Sequence, residues 1–243
     1  TALGTGTYGS TQGALGSNTT GNNNTAVGAR ALTLNTTGDG NTAVGTYALN
    51  DNTTGDNNTA VGRDALDDNT TGTQNVAVGY AGLSANTTGN YNTSMGTYSG
   101  ESNTTGSYNS ALGRSALNQN TTGSQNTAIG HQALYANTTS NDNTAFGALA
   151  LKANTTGSAN VGVGVSALRN NSTSGGNTAI GWHACAAQTT AGNSVAVGYN
   201  ALASNQTSTQ NVAVGYAALK DNTAANNTAV GYYALNATTT GAN

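Results

Sequence analysis

The stretch Asn41-Thr42-Ala43-Val44-Gly45-Thr46-Tyr47-Ala48-Leu49 decides how the chain is read. It returns, with changes at its sixth and seventh positions, at Asn58 to Leu66 and at Asn227 to Leu235. Its glycine recurs at Gly28, Gly45, Gly62, Gly79, Gly96, Gly113, Gly130, Gly147, Gly164, Gly181, Gly198, Gly215 and Gly231, in steps of 17 residues closed by one of 16. A fixed period this short marks a solenoid, in which each unit is one coil that cannot bury its apolar face alone.

The columns of the repeat assign each position a task. Before the glycine stand Val27, Val44, Val61, Val78, Met95, Leu112, Ile129 and Phe146, the last including the sole phenylalanine of the chain. This column is expected to be a buried slot that tolerates changes of size. One place earlier the residue is small, as at Ala26 and Ala43, and the place before that holds Thr25 and Thr42. Neighbours on a strand point to opposite faces, so Ala26 opposes Val27, and Thr25 shares the side of Val27. Four residues after the glycine lies a second apolar column with Leu32, Leu49, Leu66 and Leu117, in which Cys185 fills a leucine slot and Gly100 leaves a gap. Free cysteine behaves as a small hydrophobe, so Cys185 is expected to pack and not to react.

The other half of the unit is Asn-Thr-Thr-Gly, as at Asn35 to Gly38 and Asn52 to Gly55. Asparagine and glycine supply a corner, and the threonines favour extended backbone. Stacked coils place each asparagine over the next at about 4.8 Å, which predicts a side-chain amide ladder. The expected fold is all-β: a parallel β-solenoid, or β-roll, of about 17 residues per coil and about 14 coils. Each coil would carry two short strands, giving two narrow sheets and a rod of roughly 65–70 Å. It forms a single domain over 1–243, with irregular first coils over 1–27 that include Tyr8, regular repeats over 28–231 and a last partial coil over 232–243. One valine and one leucine per coil bury too little apolar surface to offset the ordering of the chain, so the ladders must contribute.

Only 6% of the residues are charged, proline is absent and the formal net charge is −3. The six basic residues are dispersed, which leaves no footprint for nucleic acid. No apolar run approaches the roughly 18 residues of a membrane span, and one cysteine supports no internal disulfide framework. The two histidines, His131 and His183, sit in adjacent columns three coils apart with no carboxylate or cysteine at a dyad spacing, so no catalytic group and no enzyme are expected. The acids share no single column, so no metal site and no cofactor are expected either. The chain starts at Thr1 with neither an initiator methionine nor a signal peptide, which points to an excerpt or a processed product. Its last residues, Thr239 to Asn243, stop in phase with the strand-like Thr1-Ala2-Leu3-Gly4, as expected for a longer array or for head-to-tail stacking into a filament.

Asn-Ser-Val-Ala-Val-Gly at Asn193 to Gly198, Asn-Val-Ala-Val-Gly at Asn75 to Gly79 and Asn-Thr-Ala-Ile-Gly at Asn126 to Gly130 resemble the head repeat of YadA-type trimeric autotransporter adhesins. Asn227 to Leu235 also resembles the repeats of bacterial and phage tail-fibre-like proteins. The likeness runs from about Asn18 onward. It implies a left-handed β-roll, three chains side by side, exposure on a cell surface or virion, and adhesion. It also implies that alternating motif residues face the coil interior and the trimer interface, roles that would fall on Val27 and Ala26. The Asn-Thr-Thr-Gly segment makes the coil larger than the usual one of that family.

The expected function is a structural component of an extracellular fibre or filament, or the shaft of an adhesin or tail fibre, with itself as partner in a homotrimer or head-to-tail filament. Two alternatives stand beside it. Threonine columns on a regular solenoid raise ice binding, although the adjacent Thr36 and Thr37 face opposite ways. Tyr199, Tyr216 and Tyr232 stand on successive coils as an exposed aromatic strip that could take surface glycans or a host receptor. Asn-x-Thr or its variant also recurs at Asn18, Asn35, Asn52, Asn69, Asn86, Asn103, Asn120, Asn137, Asn154, Asn171, Asn205 and Asn236. Such sites accept N-glycans in a suitable secretory pathway; a turn built from Asn and Thr yields the same tripeptides with no sugar, and that reading is preferred.

Overall fold

A computed structural model describes residues 1–3 and 13–237 of the chain. Tyr8 and the terminal Thr239 to Asn243 lie outside the described residues. The chain divides into two compact units, Thr1–Ser124 and Gln125–Asn243. In a stack each coil touches only its neighbours, so contacts do not tie distant coils together.

The first unit holds strands β1 (Ala2–Leu3), β2 (Thr25–Val27), β3 (Thr42–Val44), β4 (Thr59–Val61), β5 (Val76–Val78), β6 (Thr93–Met95) and β7 (Ser110–Leu112). The second holds β8 (Thr127–Ile129), β9 (Thr144–Phe146), β10 (Val161–Val163), β11 (Thr178–Ile180), β12 (Val195–Val197), β13 (Val212–Val214) and β14 (Thr228–Val230). Within each unit every strand pairs in parallel with its sequence neighbour. The register is one repeat: Ala26 opposes Ala43 and Val27 opposes Val44. The all-β parallel solenoid of 17 residues per coil is therefore the observed fold. The irregular start is visible where Ala2 pairs with Ala26, an offset seven residues longer than one repeat.

The coil differs from expectation first in its Asn-Thr-Thr-Gly leg. It carries one strand of three residues, and the Asn-Thr-Thr-Gly leg forms no second sheet. On that leg Thr36 and Thr37 both donate their backbone N–H to the single carbonyl of Thr53, at 2.9 and 3.2 Å. Two donors sharing one acceptor bend the chain instead of extending it. The strand ends where it does because Gly79 adopts φ +130°, and a Cβ there would lie 2.7 Å from the carbonyl oxygen of Gly96 in the next coil. Beyond the glycine the left-handed region recurs at alternate residues, as at Asp64 (φ 58°) and Leu66 (φ 52°), which curls that leg tightly.

This tight curl reverses the expected inside and outside of the strand. Ala26, Ala43, Ala60 and Ala77 are fully buried, together with Leu32, Leu49 and Leu66. Leu117 and Cys185 also lie inside, as expected. The Val column does not. Val27, Val44, Val78 and Ile129 are half-buried, and Val61, Met95, Leu112 and Phe146 are 37–53% exposed. The narrow coil interior is already filled by a leucine and two asparagines, and only a methyl group fits beside them.

The gap at Gly100 belongs to a locally polar coil. Ser94 replaces the strand alanine and donates its hydroxyl to the carbonyl of Ser99 at 2.6 Å, while Ser99 Oγ donates to Ala111 O at 3.0 Å. Both serines are buried, so hydroxyl pairs stand where other coils place a leucine and two alanines.

Candidate functional site

Two asparagines per coil, not one, fill the interior. Asn52, at the start of the Asn-Thr-Thr-Gly leg, donates Nδ2 to Asn35 Oδ1 of the previous coil at 2.8 Å and to Gly55 O at 3.0 Å. Asn41, just before the strand, donates Nδ2 to the same Gly55 carbonyl at 2.8 Å, and its Oδ1 accepts the backbone N–H of Asn58 at 2.9 Å. The first ladder was legible in the sequence. The second was missed, although an asparagine three residues before the Val column is as periodic as the glycine. These bonds also decide how the sequons are presented. All twelve sequon asparagines except Asn18 and Asn236 are buried, and those of the ladder use Nδ2, the atom that would carry a sugar, in hydrogen bonds. In the folded coil the ladder asparagines therefore present no exposed amide.

The outward side of each strand forms the first exposed surface. In the first unit it carries Thr25 with Val27, Thr42 with Val44 and Thr59 with Val61, one pair per coil and in strict register. In the second unit Phe146 and Ile180 stand 53% and 41% exposed on the same face. A regular ladder of uncovered β-branched and apolar side chains is unusual for a monomer surface.

The aromatic strip is real and longer than expected. Trp182 begins it, and ring centroids follow at 4.7 Å to Tyr199, 5.0 Å to Tyr216 and 5.3 Å to Tyr232. The first two pairs lie within 12° of parallel. His183 stacks on Trp182 at 3.5 Å. Tyr199 and Tyr216 thus have both faces covered by neighbouring rings and present edges and hydroxyls outward. A sugar that stacks on a ring face finds no free face on those two residues. A second stack, missed in the sequence, joins Tyr91 and Tyr108 at 4.9 Å in the first unit.

The charges are not scattered as the sequence suggested. Five or six residues after the strand glycine, the first unit carries Asp51, Asp67, Asp68 and Glu101. Burial and the neighbouring Asp68, Asp51 and Asp64 push the Asp67 carboxyl up to about 7, against the opposing pull of Arg30. Asp67 Oδ1 has no hydrogen-bond partner. Burial and Asp51 raise Asp68 as well. The same column in the second unit carries Lys152, Arg169 and Lys220. They line two adjoining hollows of about 300 and 380 Å³ that share Arg169 and Asn170. Burial, and then the charge of Arg169, lowers the affinity of His183 for a proton. The signal was present in the sequence but required reading two adjacent columns as one surface. Burial pushes the Cys185 thiol up to about 12, so it is an inert packing group at neutral pH. Among the described residues no three His, Cys, Asp or Glu side chains are grouped to hold a metal ion, and no helix is long and apolar enough to cross a membrane.

Comparison of the chain with models of protein families, with curated proteins and with solved structures gave no match.

Proposed function

We propose that the chain is a structural segment of an extracellular fibre, or of an adhesin or tail-fibre shaft on a cell or virion, and that copies associate through the outward strand face. The uncovered ladder from Val27 through Met95 and Leu112, continued in kind by Ile129, Phe146 and Ile180, carries this reading. Burying such a ladder removes apolar surface from water at about 25 cal/mol per Å². The coil interior is small, so interchain burial is where further stabilisation is available. The resemblance to trimeric adhesin heads points the same way, with the roles of the alternating residues exchanged: Ala26 inward and Val27 toward a partner. Sedimentation of the full chain tests this. Oligomers are expected that weaken at least about ten-fold, or 1.4 kcal/mol, in the variant Phe146→Lys/Ile180→Lys. A chain that stays monomeric at about 100 μM, a concentration at which an interface worth 5–6 kcal/mol would pair, sinks the reading.

Ice binding is the second reading, and one observation favours it. Thr25 and Val27 share an outward face on which each pair repeats once per coil, so the objection drawn from the adjacent Thr36 and Thr37 does not touch this side. Valine replaces the threonine at Val76, Val161, Val195 and Val212, which breaks the array. Thermal hysteresis of the purified chain separates the two readings.

A further inference from the structure

The column five and six residues after the strand glycine changes character between the two units. In the first unit it is an acidic ridge, with Asp51 and the Asp67-Asp68 pair on consecutive coils and Glu101 two coils on. In the second it is a basic trough, with Lys152 and Arg169 on consecutive coils and Lys220 three coils on. Ala153, Ala186 and Ala203 line the trough between these cations, and Asp221 follows Lys220 in the same two columns. The residues lining the trough are neutral or basic.

We propose that the basic trough of one copy receives the acidic ridge of a second copy of this chain. Charge, shape and spacing support this occupant together. Asp51 and Asp68 are one 17-residue coil apart, and so are Lys152 and Arg169, so both pairs have the same axial spacing of about 4.8 Å. The alanines of the trough leave room for carboxylates to approach the cations. Asp64 is paired with Arg63 at 3.2 Å, and Arg30 pulls on Asp67 from within the chain. The buried Asp67 Oδ1 nonetheless lacks a hydrogen-bond partner, and the exposed Asp68 and half-buried Asp51 are the carboxylates that a second copy can reach. Three carboxylates are partly engaged within the chain: Glu101 Oε2 accepts from Asn118 Nδ2 at 2.8 Å, Asp221, next to Lys220 in sequence, accepts from Ser204 Oγ, and Asp51 Oδ1 accepts from Asn50 Nδ2, which leaves Asp51 its second oxygen. The Asp51–Asp68 and Lys152–Arg169 pairs therefore form the centre of the contact. Ridge and trough are different surfaces, so the contact is heterologous and repeats from copy to copy, as a closed ring or an open chain. It is separate from the strand face and does not depend on it.

Two full-length charge reversals test the pairing. One carries Lys152→Glu/Arg169→Glu/Lys220→Glu, and the other carries Asp51→Lys/Asp67→Lys/Asp68→Lys/Glu101→Lys. In about 20 mM salt, where screening is weak, each alone is expected to associate at least about ten-fold more weakly than the wild type, a loss of 1.4 kcal/mol. Mixed one to one, they should associate again, and about 0.5 M salt should abolish the pairing. Wild-type association that is indifferent to salt overturns the proposal, as does a mixture no tighter than its components. Capture of polygalacturonate by chains that do not pair with one another overturns it too. The milder Lys152→Ala/Arg169→Ala/Lys220→Ala places a residue that the column already holds at Ala186 and Ala203, so it keeps the fold and should lose only the salt-dependent association. Association through the strand face persists in high salt and responds to Phe146→Lys/Ile180→Lys, so the two ideas fail separately.

Discussion

Asn69 donates its side-chain amide to Asn52 Oδ1, one coil earlier, at 2.8 Å, and to the carbonyl of Gly72, three residues on, at 3.0 Å. The first bond ties coils together and the second closes the corner within a coil, so one buried amide fixes both stacking and turn. Removing it strands Asn52 Oδ1 in a dry interior, at about 1–3 kcal/mol for an unsatisfied group, and leaves Gly72 O with the Asn58 amide as its remaining side-chain donor. Asn69→Ala is expected to destabilise the chain by about 2 kcal/mol or more. Asn69→Asp should cost more, because it replaces the donor with a buried charge facing two oxygens. Denaturant titration followed by circular dichroism reads both. A loss below about 0.5 kcal/mol, the size of an ordinary surface change, would show that the ladder is incidental.

The strand glycine can be tested by comparing two positions with the same backbone and different surroundings. At Gly79 φ is +130° and an added Cβ meets Gly96 O at 2.7 Å. At Gly231 φ is +133°, and among the described residues the nearest atom is Ala234 Cβ at 3.8 Å. Gly231→Ala carries backbone strain of about 1–2 kcal/mol. Gly79→Ala carries the same strain plus a collision with the next coil's backbone, which can yield only by separating coils. Thermal melts of the two variants should therefore differ, with Gly79→Ala the lower. Equal melts would place the requirement for glycine in φ alone.

The coil around β6 is expected to be the soft point of its unit. Ser94, Ser99 and Gly100 replace two alanines and a leucine, and their hydroxyl bonds do not restore the lost apolar contact. Returning the repeat residues in Ser94→Ala/Ser99→Ala/Gly100→Leu should stabilise the chain by about 1–3 kcal/mol. An added Cβ at Gly100 approaches Leu83 Cδ2 at 3.0 Å, a flexible side-chain end that can move. Hydrogen exchange measured by mass spectrometry should show the fastest exchange of the first unit's strands in peptides over β6, and slower exchange there in the triple variant.

Periodicity made most of this fold legible. The 17-residue step fixed the coil, and the alternation of Thr25, Ala26 and Val27 fixed which residues share a face. Which face is interior was not legible, because alternation is symmetric and hydrophobicity favours Val over Ala. Only the width of the coil breaks that tie, and the width is set by left-handed residues such as Asp64 and Leu66, to which composition gives no clue. The second strand failed for a related reason: threonines favour extended backbone, yet the carbonyl of Thr53 is shared by two donors. The aromatic strip was legible because Tyr199, Tyr216 and Tyr232 share a column. The acidic ridge was not, because Asp51 and Asp67 occupy adjacent columns that a corner brings to one surface.

That ridge makes stability depend on pH in an unusual direction. The carboxyl of Asp67 rises from 3.8 to about 7, first through burial and then through Asp68, Asp51 and Asp64. The folded chain thus holds this proton more tightly than the unfolded chain, and protonation favours folding. The stabilisation is fully present below about pH 4 and is lost as the pH rises through about 7, so this group makes the chain more stable at pH 5 than at pH 8. Asp68, raised in the same direction, adds to the effect. Asp67 is only partly buried, so solvent screening reduces the contribution to roughly 1–2 kcal/mol. Asp67→Asn keeps the shape and removes the charge. It should raise stability at pH 8, change little at pH 5, and flatten the profile between them. Denaturation midpoints measured across that range decide the matter. A wild-type chain more stable at pH 8 than at pH 5, with Asp67→Asn leaving the slope unchanged, would mean that the four carboxylates do not share one repulsive surface.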